Sequence, residues 1–521
     1  MRKKLSTSIY TFKTIIEGNA MYVDKTKEIY KLISTLDGQF FLARPRRFGK
    51  SLTLSTLESF FLGEKELFKG LYIYDQPCEW KKHPIIRLSM NSISSSNADE
   101  LENKLSSEID MIAEKSAIKL SLKTSDQKFK ELISLLFDHI QKPVILIDEY
   151  DKPILDNILD TEEVLKIRAL LKKFYGIIKA CERNLRFTFI TGVSKFTQVS
   201  IFSDLNNLDD ITMIPDFATL CGFTQEECER YFAEWIEENA VKNEMTKIKY
   251  LEKIKETYDG IRFTEKDVTV YNPVSFTKAM EQGNFNHYWF ETGTPSFLIK
   301  LLKDRDYNII EFENLRLNSD DFSTYEVDNL KVEALLYQTG YLTIKKYQKD
   351  AGIYTLSYPN REVREAFVKY LVDYFTPVSK SKTASLVDDF RKAIQENNIN
   401  DAFEVLNVFY SKIDYSIKIK REKYYQTIFY IFFSLLGYHI KTEVNTNKGR
   451  MDAVLYTDKH IYIFEFKLNK PVIEALDQIK KREYYQQFLK DSRELVLAGV
   501  SFNSETGEIK EWKIESTSKQ K

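Results

Sequence analysis

From Gln39 to about Pro215, short runs of apolar, β-rich residues alternate with amphipathic stretches whose apolar positions recur at helical spacing. The apolar runs are QFFLA, PIIRLSM, PVILID, RFTFITGV and ITMI. Between them lie Leu52 to Phe61, Leu101 to Leu120, Lys128 to Ile140 and Thr161 to Cys181. Those segments are long enough for right-handed crossovers, so the pattern predicts an α/β fold with a parallel sheet flanked by helices. From Thr224 to Tyr258 the pattern turns helical, and Tyr271-Asn272-Pro273-Val274 marks a break followed by more helix.

Between Asp328 and Phe367 a helical stretch (LKVEALLYQTG) precedes two strand-like runs, YLTIKKY and IYTLSY, joined by the turn Lys349-Asp350-Ala351-Gly352. A helix followed by a hairpin resembles a winged-helix module. Its hairpin has no marked basic cluster beyond Lys345, Lys346 and Lys349, which favours a packing role over direct DNA reading. From Asp401 onward the pattern predicts a helical lead-in, a helix over Glu422–Leu436, three strands, a helix over Val472–Phe488 and two further strands. The expected division is a parallel α/β sheet domain over 1–223, a helical and winged-helix-like middle over 224–400, and a further α/β domain over 401–521.

At about 150 residues per domain, 521 residues fit this three-part reading. With 43% hydrophobic and 29% charged residues, the composition is that of an ordinary folded chain. The balance of 76 Lys/Arg against 77 Asp/Glu excludes a whole-chain basic field, so contact with nucleic acid must be local. Residues 401–521 carry 20 Lys/Arg and 17 Asp/Glu, which permits such contact without requiring it. Four cysteines without metal-ligand spacing make a poor disulfide framework. The N-terminus has no export-signal pattern, and the most apolar window, Ile428 to Leu436, is too short to span a bilayer. The expectation is a cytoplasmic chain without a membrane partner.

After QFFLA stands Arg44-Pro45-Arg46-Arg47-Phe48-Gly49-Lys50-Ser51, opening a helix at Leu52. A phosphate-binding loop needs backbone N–H groups at a helix N-terminus, a lysine for the β- and γ-oxygens and a hydroxyl for Mg²⁺. Gly49, Lys50 and Ser51 supply the last part of that pattern, although Arg44 stands where its first glycine would fall. PVILIDEYD ends in Asp148 and Glu149, where a P-loop ATPase places its Mg²⁺-organising acid and its water-activating base. Thr191 and Ser194, at the end of RFTFITGVSK, are placed to read the γ-phosphate. Together these residues point to ATP binding.

In the C-terminal hairpin, a turn at Thr457–His460 puts Asp452 opposite Glu465, and Lys467 follows on the same face as Glu465. Two carboxylates and an ammonium on one face suit a metal-dependent phosphodiesterase: the carboxylates hold Mg²⁺, with Mn²⁺ a substitute, and the lysine orients water or offsets charge. The strand around them is apolar on both faces, where charges are costly without partners.

YVDKT, RPRRFGKSL, LIDEYDKP, TGVSKF, YNPVSF, ALLYQTGYLTI and YPNREVR resemble the bacterial predicted AAA-type ATPase family that carries a C-terminal PD-(D/E)xK nuclease-like domain. In that family the Arg-rich loop lacking the first glycine is the usual pattern. The resemblance implies a P-loop ATPase parallel sheet over 1–223 and an α/β restriction-endonuclease-like domain over 401–521, and it maps Asp452, Glu465 and Lys467 onto the nuclease motif. Glu422 and Gln478 match acidic and amide positions that often join such sites, although Glu422 reads equally as a solvated helix residue. The resulting expectation is an ATPase coupled to a Mg²⁺-dependent nuclease, with DNA rather than RNA as partner and a homo-oligomer left open. The alternative is an NTP-driven sensor or scaffold whose C-terminal domain binds without cutting.

Overall fold

The computed structural model describes the chain except residues 1, 36–37, 94, 159, 196–207, 290–311, 319–320, 322–331, 368–379, 397, 412–424, 426–428, 431, 434–438, 447–448, 507 and 518–521. It forms two compact units, Met1–Leu298 with Asn314–Val363, and Ile299–Glu313 with Arg364–Lys521. The expected middle region 224–400 is thus shared between the units, most of it lying with the first.

The first unit is built on β1 (Gln39–Ala43), β2 (Ile85–Ser89), β3 (Val144–Asp148), β4 (Phe187–Gly192) and β5 (Asp209–Asp210), all parallel, in the order β2-β3-β4-β1-β5. Every residue of β1, β3 and β4 is buried, which accounts for their continuous rather than alternating apolar pattern. Helix Lys50–Phe61 packs Leu54, Leu57 and Phe61 against Phe40, Leu42, Leu146 and Phe189 of the sheet. The crossover helices Ala98–Lys115 and Thr161–Ala180 start at Asn97 and Asp160, whose side chains accept from Glu100 N and Glu163 N.

The fifth strand is a correction to the expected ITMI. Among the described residues only Asp209 and Asp210 pair with β1 as strand: Ile211 N–H still reaches the Phe41 carbonyl at 3.0 Å, but Thr212 Oγ1 then takes Ala43 N–H at 3.0 Å and the chain turns into Pro215–Phe217. A side chain there replaces the backbone acceptor that a longer strand would have offered.

Four helices, Gln225–Tyr231, Ala233–Lys242, Lys247–Tyr258 and Pro273–Gln282, enclose a second core containing Phe232, Ile236, Tyr250 and Phe276. Thr224 and Glu227 form a reciprocal cap on the first of them, and Asn272 caps the last through Val274 N and Ser275 N. A three-stranded antiparallel sheet consists of β6 (Leu315–Asn318), β7 (Thr343–Gln348) and β8 (Ile353–Ser357), in the order β6-β8-β7, and helix Val332–Gln338 lies in sequence between β6 and β7.

The second unit holds a mixed sheet of β9 (His439–Thr446), β10 (Gly449–Tyr456), β11 (His460–Leu468), β12 (Glu494–Phe502) and β13 (Ile509–Thr517), in the order β13-β12-β11-β10-β9. Only β11 and β12 run parallel, and helix Val472–Lys481 makes their crossover. Leu476 and Ile479 of that helix pack with Ile461 and Ile463, whereas Phe464 and Phe466 meet the Phe429 ring edge-on. The central strand is therefore covered on both faces. The helix expected to reach Phe488 stops at Lys481, since Glu483 takes a left-handed φ of +50° and a short 3₁₀ turn follows over Tyr484–Phe488.

Candidate functional site

In the first unit, parallel strands deliver their polar residues at their carboxyl ends, where an open α/β sheet binds its ligand. β1 runs into the Arg-rich loop, and Gly49, at φ +95°, allows the chain to turn into helix Lys50–Phe61. A methyl group would find open space at Gly49, so backbone conformation rather than crowding selects glycine there. Lys50 is buried, and its Nζ donates to the carbonyls of Arg44 and Pro45, each at 2.9 Å. Burial lowers the pKa of its ammonium, while Glu149 and Asp148 pull it back up.

Ser51 Oγ donates to Asp148 Oδ2 at 2.5 Å, and Thr191 Oγ1 donates to Asp148 Oδ1 at 2.8 Å. Strands β3 and β4, with the helix that follows β1, thus bring together three residues separated by up to 140 positions. Glu149 follows with φ +54°, a conformation uncommon for a side-chain-bearing residue and often found at functional sites. Burial raises its carboxyl pKa, opposed by Lys50 and reinforced by Asp148.

The expected loop residues divide in their placement. Arg44 is 1% exposed and turns away from the Lys50 ammonium: its guanidinium donates to the carbonyls of Ala43, Thr212 and Phe217 and lies over the Phe263 ring at 4.1 Å. It fastens the end of β1 to distant chain segments, so the structure does not bring its side chain to the proposed phosphate position. Arg46 is half-buried and Arg47 exposed, with φ +66° at Arg47. Pro45 and Phe48 are buried, and Leu52 is half-buried. Ser194 Oγ donates to Asp151 Oδ2 at 2.6 Å, and its carbonyl accepts from Tyr150 Oη. Its hydroxyl thus joins a network beneath the site. Asp151, unassigned from sequence, is fully buried and also accepts from Val193 N and Ser194 N. It lay in the quoted LIDEYDKP stretch, but an acid two residues past Glu149 carries no mark of the loop that it will cap.

In the second unit, Ala453 faces Phe464 and Tyr456 faces Ile461, and Asp452 and Glu465 are the next residues beyond the Ala453–Phe464 pair. Asp452 Oδ2 accepts from Phe466 N at 2.7 Å. Glu465 is 1% exposed and its Oε1 takes the Lys467 ammonium at 3.0 Å. Lys467 also donates to the Phe466 carbonyl. Gln478 is half-buried on the helix that covers this face of β11. Glu422 lies outside the described residues.

Among the described residues, no three or more His, Cys, Asp or Glu gather as a metal-binding group. Mg²⁺ commonly takes one or two carboxylates and completes its shell with water and substrate phosphate. Ser51 with Asp148, and Asp452 with Glu465, are hard-oxygen donor pairs of that kind. Among the described residues, no helix is long and apolar enough to cross a membrane.

The fold and sites define an α/β protein with an ATPase-like parallel sheet and a nuclease-like mixed sheet. The family model described as "Predicted AAA-ATPase" matches residues 6–202, and that of the "PD-(D/E)XK nuclease superfamily" matches residues 420–512. The chain is 34% identical, over 99% of both sequences, to an Azotobacter chroococcum mcd 1 protein described as "Uncharacterized protein in vnfD 5'region". It belongs to the family of predicted AAA-type ATPases that carry a C-terminal PD-(D/E)xK nuclease-like domain. No solved structure matches it.

Proposed function

We propose that the first unit is an ATPase whose P-loop is Arg44–Ser51, and that the second is a Mg²⁺-dependent phosphodiesterase acting on nucleic acid, DNA rather than RNA. The observation that carries the ATPase reading is Asp148, with Ser51 on one carboxylate oxygen and Thr191 on the other, at the carboxyl end of β3. Mg²⁺ bound there would neutralise phosphate charge. Ser51 and Asp148 would hold the ion, Lys50 would leave its carbonyls for phosphate oxygens, and Glu149, with its raised pKa, would take a proton from the attacking water.

In the second unit, Asp452 and Glu465 would hold Mg²⁺ or Mn²⁺, and the ion would polarise the phosphate and acidify bound water. Lys467, already on the Glu465 carboxylate, would hold that water or the phosphate in line. The half-buried Gln478 would orient a ligand from the covering helix. A non-cutting sensor or scaffold is the second reading, favoured by one feature: Asp452 and Glu465 are already engaged by a backbone N–H and an ammonium.

Titration with a fluorescent ATP analogue tests the first site. Lys50→Ala should weaken binding at least tenfold, and undiminished binding would remove the P-loop assignment. Nicking of plasmid and single-stranded DNA or RNA with Mg²⁺ or Mn²⁺, with and without ATP, separates the nuclease from the sensor.

A further inference from the structure

The Arg-rich loop is gripped from outside the sheet by residues that neither its motif nor the catalytic groups include. Trp289 Nε1 donates to the Arg46 carbonyl at 3.3 Å, and the indole packs on Tyr341 with ring centres 5.4 Å apart. Gly340, at φ +86°, lies so close to the loop that an added Cβ would come within 2.9 Å of the Pro45 ring and 3.2 Å of the Trp289 indole. Gln338 Oε1 accepts from Lys195 N at 2.9 Å, just past β4. The end of helix Val332–Gln338 therefore touches both segments that flank the proposed phosphate site. From the opposite side, the Trp289 backbone N–H is fixed at 2.8 Å by the buried Glu362, one residue before Val363 closes the first unit.

The loop these residues grip is the one that must change when phosphate binds. Lys50 now holds the carbonyls of Arg44 and Pro45, both buried. A phosphate drawing that ammonium away leaves two buried carbonyls in need of new partners, at a cost that favours rotation of the 44–46 peptides. The Arg46 carbonyl held by Trp289 belongs to the same turn, and Gly340 leaves the Pro45 ring little room to move independently.

We propose that Trp289 is a positioning residue that couples phosphate binding at the Arg44–Ser51 loop to the helix-and-hairpin module of residues 332–357, by holding the loop in the arrangement where Lys50 caps its carbonyls. The proposal rests on the ATP-binding reading of that loop. Coupling is reciprocal: if nucleotide releases the indole, the indole opposes nucleotide by the same factor.

The test uses the full chain, a fluorescent ATP analogue with Mg²⁺, and hydrogen exchange of residues 332–348 with and without ATP. Trp289→Phe keeps an aromatic ring against Tyr341 and removes only the N–H donor; Trp289→Tyr serves if the first variant folds poorly. Loss of one neutral hydrogen bond that opposes binding should tighten nucleotide binding about three- to tenfold. In the wild type, ATP should speed exchange over 332–348, whereas Trp289→Phe should show fast exchange without ATP and little further response. Unchanged or weakened affinity in the variant overturns the coupling while leaving ATP binding intact. A wild type that binds no better than Lys50→Ala overturns the ATP reading and the coupling with it.

Discussion

The two units place their chemistry differently on their sheets. In the first, the residues proposed for ATP chemistry stand where parallel strands end: Asp148 closes β3, Thr191 is the penultimate residue of β4, and Lys50 opens the helix after β1. Their mutual positions depend on strand order, which brings Thr191 onto Asp148 across a parallel pair. In the second, Asp452 and Glu465 lie within neighbouring strands of one hairpin, each one residue beyond the Ala453–Phe464 pair. A site at strand ends can be moved by its loops and by whatever grips those loops. A site inside a packed hairpin is fixed by backbone pairing, so regulation there must act on access to it.

The largest expected effect breaks the comparison from the hairpin side. Asp452→Ala or Glu465→Ala should each lower cleavage about a thousandfold or more, through loss of a metal ligand worth several kcal/mol in the transition state. ATP hydrolysis should be unchanged, because Ser51 and Asp148 belong to the other unit. Lys467→Ala should retain divalent-ion binding, measured by calorimetry, and lose most of its cleavage rate. Parallel loss of ATPase activity in the carboxylate variants would mean that the sites do not work as separate engines.

How much of this was readable from sequence follows the same division. The hairpin could be read because its turn is short: with Thr457–His460 as the bend, Thr457 N–H meets the His460 carbonyl, and the pairs from Tyr456–Ile461 to Ala453–Phe464 follow. Continuous apolar runs likewise mark strands buried on both faces. Arg44 was less readable. Residue type says that three guanidinium groups crowd a loop, but not that one of them will turn toward carbonyls at Thr212 and Phe217, more than 160 residues away in sequence. Trp289 and Gln338 were hidden for a similar reason, since their contacts with the loop arise from packing between distant segments. The short β5 escaped because ITMI has the composition of a strand, while a single threonine hydroxyl ends the pairing.

A smaller effect sharpens the comparison from the strand-end side. Glu149→Gln removes the carboxylate without changing its volume and should cut ATP hydrolysis about a hundredfold or more while leaving analogue binding within about threefold of wild type. Because burial already raises the Glu149 pKa, the falling acid limb of wild-type ATPase activity should lie above the pH of an ordinary glutamate. A single-turnover measurement across pH tests this. Hydrolysis at wild-type rate in Glu149→Gln would assign the base elsewhere.

The smallest effect concerns Glu362, whose burial raises its carboxyl pKa to about 7. Its Oε1 accepts from Ser275 Oγ and Trp289 N, and His287 and Tyr258 are its titratable neighbours. Below about pH 4.5 the carboxyl is protonated whether the chain is folded or unfolded, and the stability linked to its raised pKa is fully present. As pH climbs toward 7, the unfolded chain releases the proton while the folded chain retains it, so that contribution is lost. At roughly 1.4 kcal/mol per pKa unit, the shift from 4.5 to about 7 makes that change on the order of 3 kcal/mol. Thermal melts of the wild type should accordingly show falling stability between pH 5 and pH 7.5, whereas Glu362→Gln should flatten that slope and be at least as stable as wild type at pH 8, since an amide can accept from Trp289 N without carrying charge. A slope unchanged in Glu362→Gln would show that the carboxyl is ionised in the folded chain throughout this range. The pin on Trp289 would then be a charge-assisted hydrogen bond, stronger than the neutral one inferred from burial.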